Sequence, residues 1–341
     1  MAGSGDGTDP GAAIEELRRQ VEQMGRRLND LEKVTLPALS RKVSEHERKW
    51  ADDKQGQQEA SRQTKLARQR IAGLDAVLAS ALAARPLAFG DLKAGQGPPA
   101  PERARYQPPR KLKHRLPGGT ERYERDQQDA QRRYERDYHS HALLAKQAAE
   151  RNAHVEVQEA AFAEGDRAAV EWFTGEVLRH SDYPAGVPRD YQVSYQPGQA
   201  SVAVILELPP PQLVPQEDGF LHQQPGGVCP VRRPEAAVRQ QYKRLIACVA
   251  LRAVHEIFSA TSPHPAVVRE VTLSGWCTGQ EEAAGESRTA QLVSLTAERG
   301  LFTGLNLKDL QSVECLTLTL GGQISPYPFG LVSLEHADPP R

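Results

Sequence analysis

Apolar residues at Ile14, Leu17, Val21, Met24, Leu28 and Leu31 recur at alternating steps of three and four. That is the a/d seam of a coiled coil, and the Glu, Arg and Gln residues between them keep the other faces wet. A second stripe runs through Leu39, Val43, His46 and Trp50, and a third through Ile71, Leu74, Leu78 and Leu82. The stretch 51–62 is polar on every face and is expected to contribute no seam. Pro37 is expected to end or kink the first helix. Each stripe is two or three heptads long, and short helices are marginal in water by themselves. They therefore need one another, a second copy of the chain or a different partner. Folding back at Pro37 or Gly56 would give a hairpin, and running straight a dimeric rod.

The pattern breaks after residue 85. Residues 86–119 are rich in Pro and Gly with few large apolar side chains, which predicts a partly extended linker. A long helix follows over 120–164. Its segments ERYERDQ and RRYERDY repeat eleven residues apart, which puts Tyr123 and Tyr134 on one face. Ala130, Tyr138, Ala145, Ala148 and Ala149 extend that weakly apolar side.

Residues 165–334 read differently, as a compact domain. Asp166 stands where an N-cap belongs, ahead of Ala169, Val170, Trp172, Phe173, Val177 and Leu178 on a short helix. Tyr191, Val193 and Tyr195 alternate with polar residues, Gln196–Gln199 makes a turn, and Ser201–Leu208 forms a more buried strand. Residues 216–234 hold little apolar content and are expected to be a surface excursion. The strongest helix of the chain is predicted over 235–260, with a broad apolar face from Val238 to Phe258. Further strands are expected at 267–273, 290–295 and 315–320, a helical turn at 305–310, and a closing segment at 329–334. Hairpins with grouped rather than alternating helices predict an α+β fold. The whole chain thus reads as a tail (1–13), a coiled-coil helical arm (14–85), a linker, a long helix, an α+β domain with a mainly antiparallel sheet, and a second tail (335–341).

Composition sharpens the division. Of 341 residues 39% are hydrophobic and 26% charged, with net charge -1. That apolar share is below the usual range, so part of the chain is expected outside any packed core. Residues 1–165 carry 29 Lys+Arg against 25 Asp+Glu, and residues 166–341 carry 14 against 19. The two halves therefore meet different electrostatic tasks. No apolar run is long enough to span a membrane, and MAGSGDGTDPGAA has no basic and apolar leader pattern. Cys229, Cys248, Cys277 and Cys315 are scattered without a CxxC pair, which fits a reducing cytoplasm.

Candidate chemistry is sparse. Arg103, Arg105, Arg110, Lys111, Lys113 and Arg115 place six cations in thirteen residues with no acid among them. With Tyr106 available to stack, the run can serve as a DNA-contacting arm. It can equally be a solvated spacer, which the lack of a second basic element favours. The tyrosine-rich helix offers no such element, because Asp126, Asp129, Glu135 and Asp137 neutralise its arginines. His139 and His141, two residues apart, fall on different helix faces and make no metal pair. No phosphate-cradling glycine loop, GxSxG elbow or HExxH helix occurs, so neither a metal nor a cofactor is expected. Cys248 reads as a core thiol, and His255 as a helix-surface or capped histidine. An enzyme built on Cys277, Trp276 and His255 rests on the mere presence of those residues.

Three stretches carry a resemblance. The run GDRAAVEWFTGEVLRHSDYPAGVPRDYQVSYQPGQASVAVILELPPPQLVP at 165–215, YKRLIACVALRAVHEIF at 242–258 and LGGQISPYPFGLVSL at 320–334 are similar to actinobacterial Mrr-type restriction system proteins. The order of coiled coil, ARPLAFGDLK-like inlet to a Pro-rich linker, and long helix resembles that family as well. The resemblance implies a restriction or phage-defence setting, in which a nuclease domain of PD-(D/E)xK type follows this region. That chemistry needs Mg²⁺-binding acids and a lysine near the scissile phosphate. Seven residues follow Leu334, so no such domain is expected here. The acid-x-Lys triplets at 47–49, 52–54 and 91–93 fall in the arm or linker, and neither Lys243 nor Lys308 has an acid two residues before it. The family's catalytic residues thus have no counterparts to carry over. The expectation is a non-catalytic regulatory or targeting module, self-associating through its coiled coil, whose partners are a second copy, a separate nuclease subunit or DNA. The alternative is a cytoplasmic coiled-coil scaffold unrelated to nucleic acid.

Overall fold

A computed structural model describes residues 10–95, 97–109, 119–223, 227–280 and 287–334. Within them, the side chains of 10–14, 34–37, 280 and 287 lie outside the description. In chain order the helices are α1 (Pro10–Asp75), α2 (Val77–Ala83), α3 (Phe89–Leu92), α4 (Gly119–Ala163), α5 (Arg167–Arg179), α6 (Glu235–Ala260), α7 (Arg299–Thr303) and α8 (Ser312–Glu314). The strands are β1 (Tyr191–Gln196), β2 (Ser201–Glu207), β3 (Glu217–Gln223), β4 (Gly227–Arg232), β5 (Glu270–Gln280), β6 (Ser287–Glu298) and β7 (Gln323–Ile324). The chain folds as two units, one of residues 1–69 with 216–233, the other of 70–215 with 234–341.

In the first unit α1 runs without a break through Pro37, where a helix end or kink was expected. One proline removes a single intrahelical hydrogen bond, and the helix-forming residues on both sides carry the helix through it. Neither Pro37 nor Gly56 folds the arm back into a hairpin. The stretch 51–62, expected to contribute no seam, presents Asp53, Gly56, Glu59 and Ala60 along one face, and that face continues through Gln63 and Thr64. Against it lies the antiparallel β3–β4 hairpin, in place of the expected surface excursion. Thr64 Oγ1 accepts from the Phe220 amide at 2.8 Å and donates to its carbonyl at 3.1 Å. The hairpin is thus held by polar contacts that an apolar pattern does not reveal.

The second unit is α+β. Its five-stranded sheet has the order β1-β2-β5-β6-β7, antiparallel except for the β2–β5 pair. That parallel pair follows from the crossover through α6, since a parallel neighbour cannot be reached by a tight turn. α6 spans the expected residues and buries sixteen of them, from Val238 to Ala260. Asp166 caps α5 by accepting from the Ala169 amide at 2.9 Å. Tyr191 and Tyr195 tie β1 down, donating at 2.7 Å to the carbonyls of Gly175 and Val267.

Three expectations are corrected in this unit. Leu74 and Leu78, read as a coiled-coil stripe, are core residues packed with α2 and α6. Part of the linker expected over 86–119 is folded: the Phe89 ring stacks on Phe173 at 3.9 Å and meets Phe162 edge-on at 5.4 Å, and Leu92 is buried. The strand expected at 315–320 is a π-helical turn, Cys315–Thr319, that buries Cys315 and Leu316 and leaves Leu318 out. Leu316, Leu318 and Leu320 alternate with Thr317 and Thr319, a strand-like pattern, and the burial of Cys315 and Leu316 in the core overrides it.

Candidate functional site

The predicted seam is exposed over its described side chains. Leu17, Val21, Met24, Leu28 and Leu31 are exposed, as are Leu39, Val43 and Trp50 further along α1, all between 55 and 66%. Ile14 begins the seam but its side chain lies outside the description. The intervening side chains pair along the helix, Arg19 with Glu15 and Glu16, and Arg26 with Glu22. Counting Ile14 as position a puts Ile14, Val21 and Leu28 at a, and Leu17, Met24 and Leu31 at d.

The predicted DNA-contacting residues divide. Arg110, Lys111, Lys113 and Arg115 lie outside the described residues. Arg103, Arg105 and Tyr106 form a 3₁₀ turn, Arg103–Tyr106, laid along α4. Tyr106, expected to be free for stacking, donates to Asp137 Oδ2 at 2.8 Å and meets Tyr134 edge-on at 5.6 Å. That hydrogen bond to a carboxylate pushes the Tyr106 hydroxyl above its ordinary pKa. Arg103 bonds Gln131 at 3.1 Å, and Arg105 stands 3.5 Å from Glu102. Beside the turn, Tyr123 and Tyr134 share one face of α4 and line a groove of about 480 Å³ with Gln127, Gln128 and Gln131. Further along that face the Tyr138 ring stands 5.8 Å from Tyr134 and is exposed, as is Ala145. His141 contacts the Pro98 carbonyl at 2.9 Å, and among the described residues no three His, Cys, Asp or Glu side chains are placed to hold a metal ion.

Cys248, Cys277 and Cys315 are buried, and Cys229 is half-buried. Cys277 is sealed beside Tyr242 and the Pro209 carbonyl, and burial pushes its thiol up to about 11. Cys248 is buried against Ser312, with its thiol pKa also raised by burial. His255 contacts Ser259 and neither cysteine.

One arrangement escaped the sequence reading. Arg252 lies inside α6 with its side chain 3% exposed, between apolar neighbours. Its Nε donates to Glu256 Oε1 at 2.8 Å and Ser181 Oγ at 3.0 Å, and its Nη1 to the Val77 carbonyl at 2.9 Å and Ser80 Oγ at 3.0 Å. The guanidinium also stands 4.5 Å over the Tyr183 ring. Ser181 Oγ donates to Glu256 Oε1 at 2.9 Å. Among the described residues Glu256 Oε2, closed off from solvent, has no hydrogen-bond partner. This network forms the inner wall of a cavity of about 310 Å³. The sequence signal was an Arg on the buried stripe of α6 with a Glu four residues on, a pair of opposite charges where only apolar residues were counted.

No helix among the described residues is long and apolar enough to cross a membrane. Compared with known proteins, the chain matches no family model, no curated protein and no solved structure.

Proposed function

We propose that this chain is a non-catalytic assembly and targeting module of a restriction-type, phage-defence system in the cytoplasm, paired with a second copy of itself through α1. The observation that carries the reading is the exposed a/d seam from Leu17 to Leu31. Its chemistry selects the occupant. β-branched Ile14 and Val21 at a with Leu17 and Leu31 at d suit a parallel two-stranded coil. In that arrangement Arg27 at g faces Glu32 at the following e position of the partner copy, an attractive pair. The defence setting rests on the family-like text at 165–215, 242–258 and 320–334, and a separate nuclease subunit is the partner that setting implies.

Light scattering on the full chain tests the pairing. A mass of twice 37.5 kDa is expected, and Leu17→Glu with Leu28→Glu should return it to 37.5 kDa with the second unit still folded. A wild-type chain that stays monomeric at tens of micromolar defeats the assembly reading. Mg²⁺-dependent cleavage of plasmid DNA by the purified chain would defeat the non-catalytic one.

A second reading, a scaffold unrelated to nucleic acid, is favoured by the partners that Arg103, Arg105 and Tyr106 already have within the chain. Replacing the six cations between 103 and 115 by Gln separates the two. Loss of DNA binding at ~50 mM salt supports the targeting role, and unchanged binding reduces the segment to a spacer.

A further inference from the structure

The cavity beside Arg252 differs between its mouth and its inner end. At the mouth Arg85 and Asp182 are exposed, so water screens their charges, and Arg85 is also paired with Asp91. At the inner end lies Arg252, its side chain 3% exposed. Its Nε is spent on Glu256 and Ser181, and its Nη1 on the Val77 carbonyl and Ser80. Among the described residues Nη2 has no hydrogen-bond partner, yet it is not closed off from solvent as Glu256 Oε2 is. Its N–H groups therefore reach the space that Arg252 lines. The bonds on Nε and Nη1, with the Tyr183 ring 4.5 Å away, fix the guanidinium plane, so Nη2 cannot turn to find an acceptor within the chain. A nearly buried donor without an acceptor is costly, and a ligand oxygen removes that cost.

Charge decides which oxygen fits. Glu256, at 2.8 Å, already offsets the single charge of Arg252. Burial and the neighbouring Arg252 both hold His255 below its ordinary pKa, so it adds no positive charge near neutrality. A ligand carboxylate would be a second anion on one guanidinium, desolvated without a counter-charge of its own. An ammonium would bring donors to a group that needs an acceptor. We infer that this cavity binds a small neutral carbonyl compound, an amide or ketone on a short aliphatic body, whose oxygen accepts from Arg252 Nη2. The aliphatic part lies against the apolar part of the wall, Ala81, Ala84, Leu87 and Val177. The volume of about 310 Å³ is at the low end of small-molecule sites (about 300–1,000 Å³), which limits the ligand to a few carbons.

The test uses the full chain and four probes of matched size: butyramide, 2-pentanone, butyrate and n-butylamine. Butyramide and 2-pentanone should bind saturably in the millimolar range and shift the guanidinium N–H resonances of Arg252. Butyrate and n-butylamine should bind about tenfold more weakly or not at all. Arg252→Lys keeps a cation for Glu256 but removes Nη2, and should weaken butyramide about tenfold or more. Ala84→Trp fills the cavity from an exposed position, without touching the core, and should block both carbonyl probes. Where Arg252→Lys fails to fold, the Arg252 resonances of the wild-type chain and Ala84→Trp decide between them. The inference is overturned if neither carbonyl probe binds, or if butyrate or n-butylamine binds as tightly. It is equally overturned if the carbonyl probes bind while the Arg252 resonances stay in place, or bind Ala84→Trp unchanged.

Discussion

The imidazole of His222 occupies the space that a side chain at Gly56 would need: a β-carbon there would lie 2.4 Å from Cε1 and Nδ1 of the ring. The same ring brings Nε2 to 2.9 Å from Asp53 Oδ1, one turn earlier on α1, without hydrogen-bond geometry. Helix propensity alone says that Gly→Ala inside a helix stabilises by about 1 kcal/mol. At Gly56 the sign should reverse. Gly56→Ala is expected to detach the β3–β4 hairpin, seen as faster amide exchange over 217–232. Gly25→Ala, which has nothing within 4 Å, should stabilise α1 by the full propensity difference. Equal effects at the two glycines would show that the ring does not hold its place.

Arg252 and Glu256 give a prediction about removing one charge or both. Arg252→Met leaves Glu256 buried and uncompensated, and should cost about 3–5 kcal/mol in denaturant unfolding. Arg252→Met with Glu256→Met removes both charges and should recover most of that loss. A double variant as unstable as the single would mean that Arg252 acts through its bonds to Val77 and Ser80 rather than through the ion pair.

Phe89 tests whether the Pro-rich segment is part of the core. Phe89→Ala removes a ring stacked on Phe173 and edge-on to Phe162, and should destabilise the second unit by about 3–5 kcal/mol. A change within about 0.5 kcal/mol, typical of a surface site, would return this stretch to the status of a spacer.

The cavity histidine and carboxylate respond to pH in opposite senses. Burial, with the Arg252 charge second, lowers the His255 pKa below its ordinary 6.5. Its contribution to stability is therefore full above 6.5 and is lost as pH falls through the lower folded-state value. Burial raises the Glu256 pKa above 4.5. Its contribution is full below 4.5 and is lost as pH rises through the higher folded-state value. Unfolding free energies measured from pH 4 to 8 should show His255→Gln gaining on the wild type as the solution is acidified from 6.5. Parallel curves for the two proteins would mean that the His255 environment does not distinguish its protonation states.

The parts of the fold that the sequence made legible are those with a strong period. The apolar face of α6 sets its limits, Asp166 announces the start of α5, and alternation from Tyr191 to Leu206 marks the β1–β2 hairpin. What stayed hidden depends on few or polar residues. Phe89 and Leu92 are two apolar side chains in Pro- and Gly-rich text, and their partners lie some seventy residues on. The β3–β4 hairpin is held by the two hydrogen bonds of Thr64 and by the packing of His222 on Gly56, which leave no trace in hydropathy. The cavity hinges on Arg252, a charge that an apolar count skips. For the seam the repeat was plain in the sequence, and the side chains from Leu17 to Leu31 are exposed.

The interleaving of chain segments in the first unit has a practical consequence. Residues 216–233 return to a helix laid down about 150 positions earlier, so the N-terminal arm cannot be cut away cleanly. Starting the polypeptide at Arg70 would strand a two-stranded ribbon that is marginal in water without a surface to lie on. Loss of activity after such a truncation would report damage to that ribbon as much as a missing arm. Point changes on the outer face of α1 are the cleaner way to ask what the arm contributes.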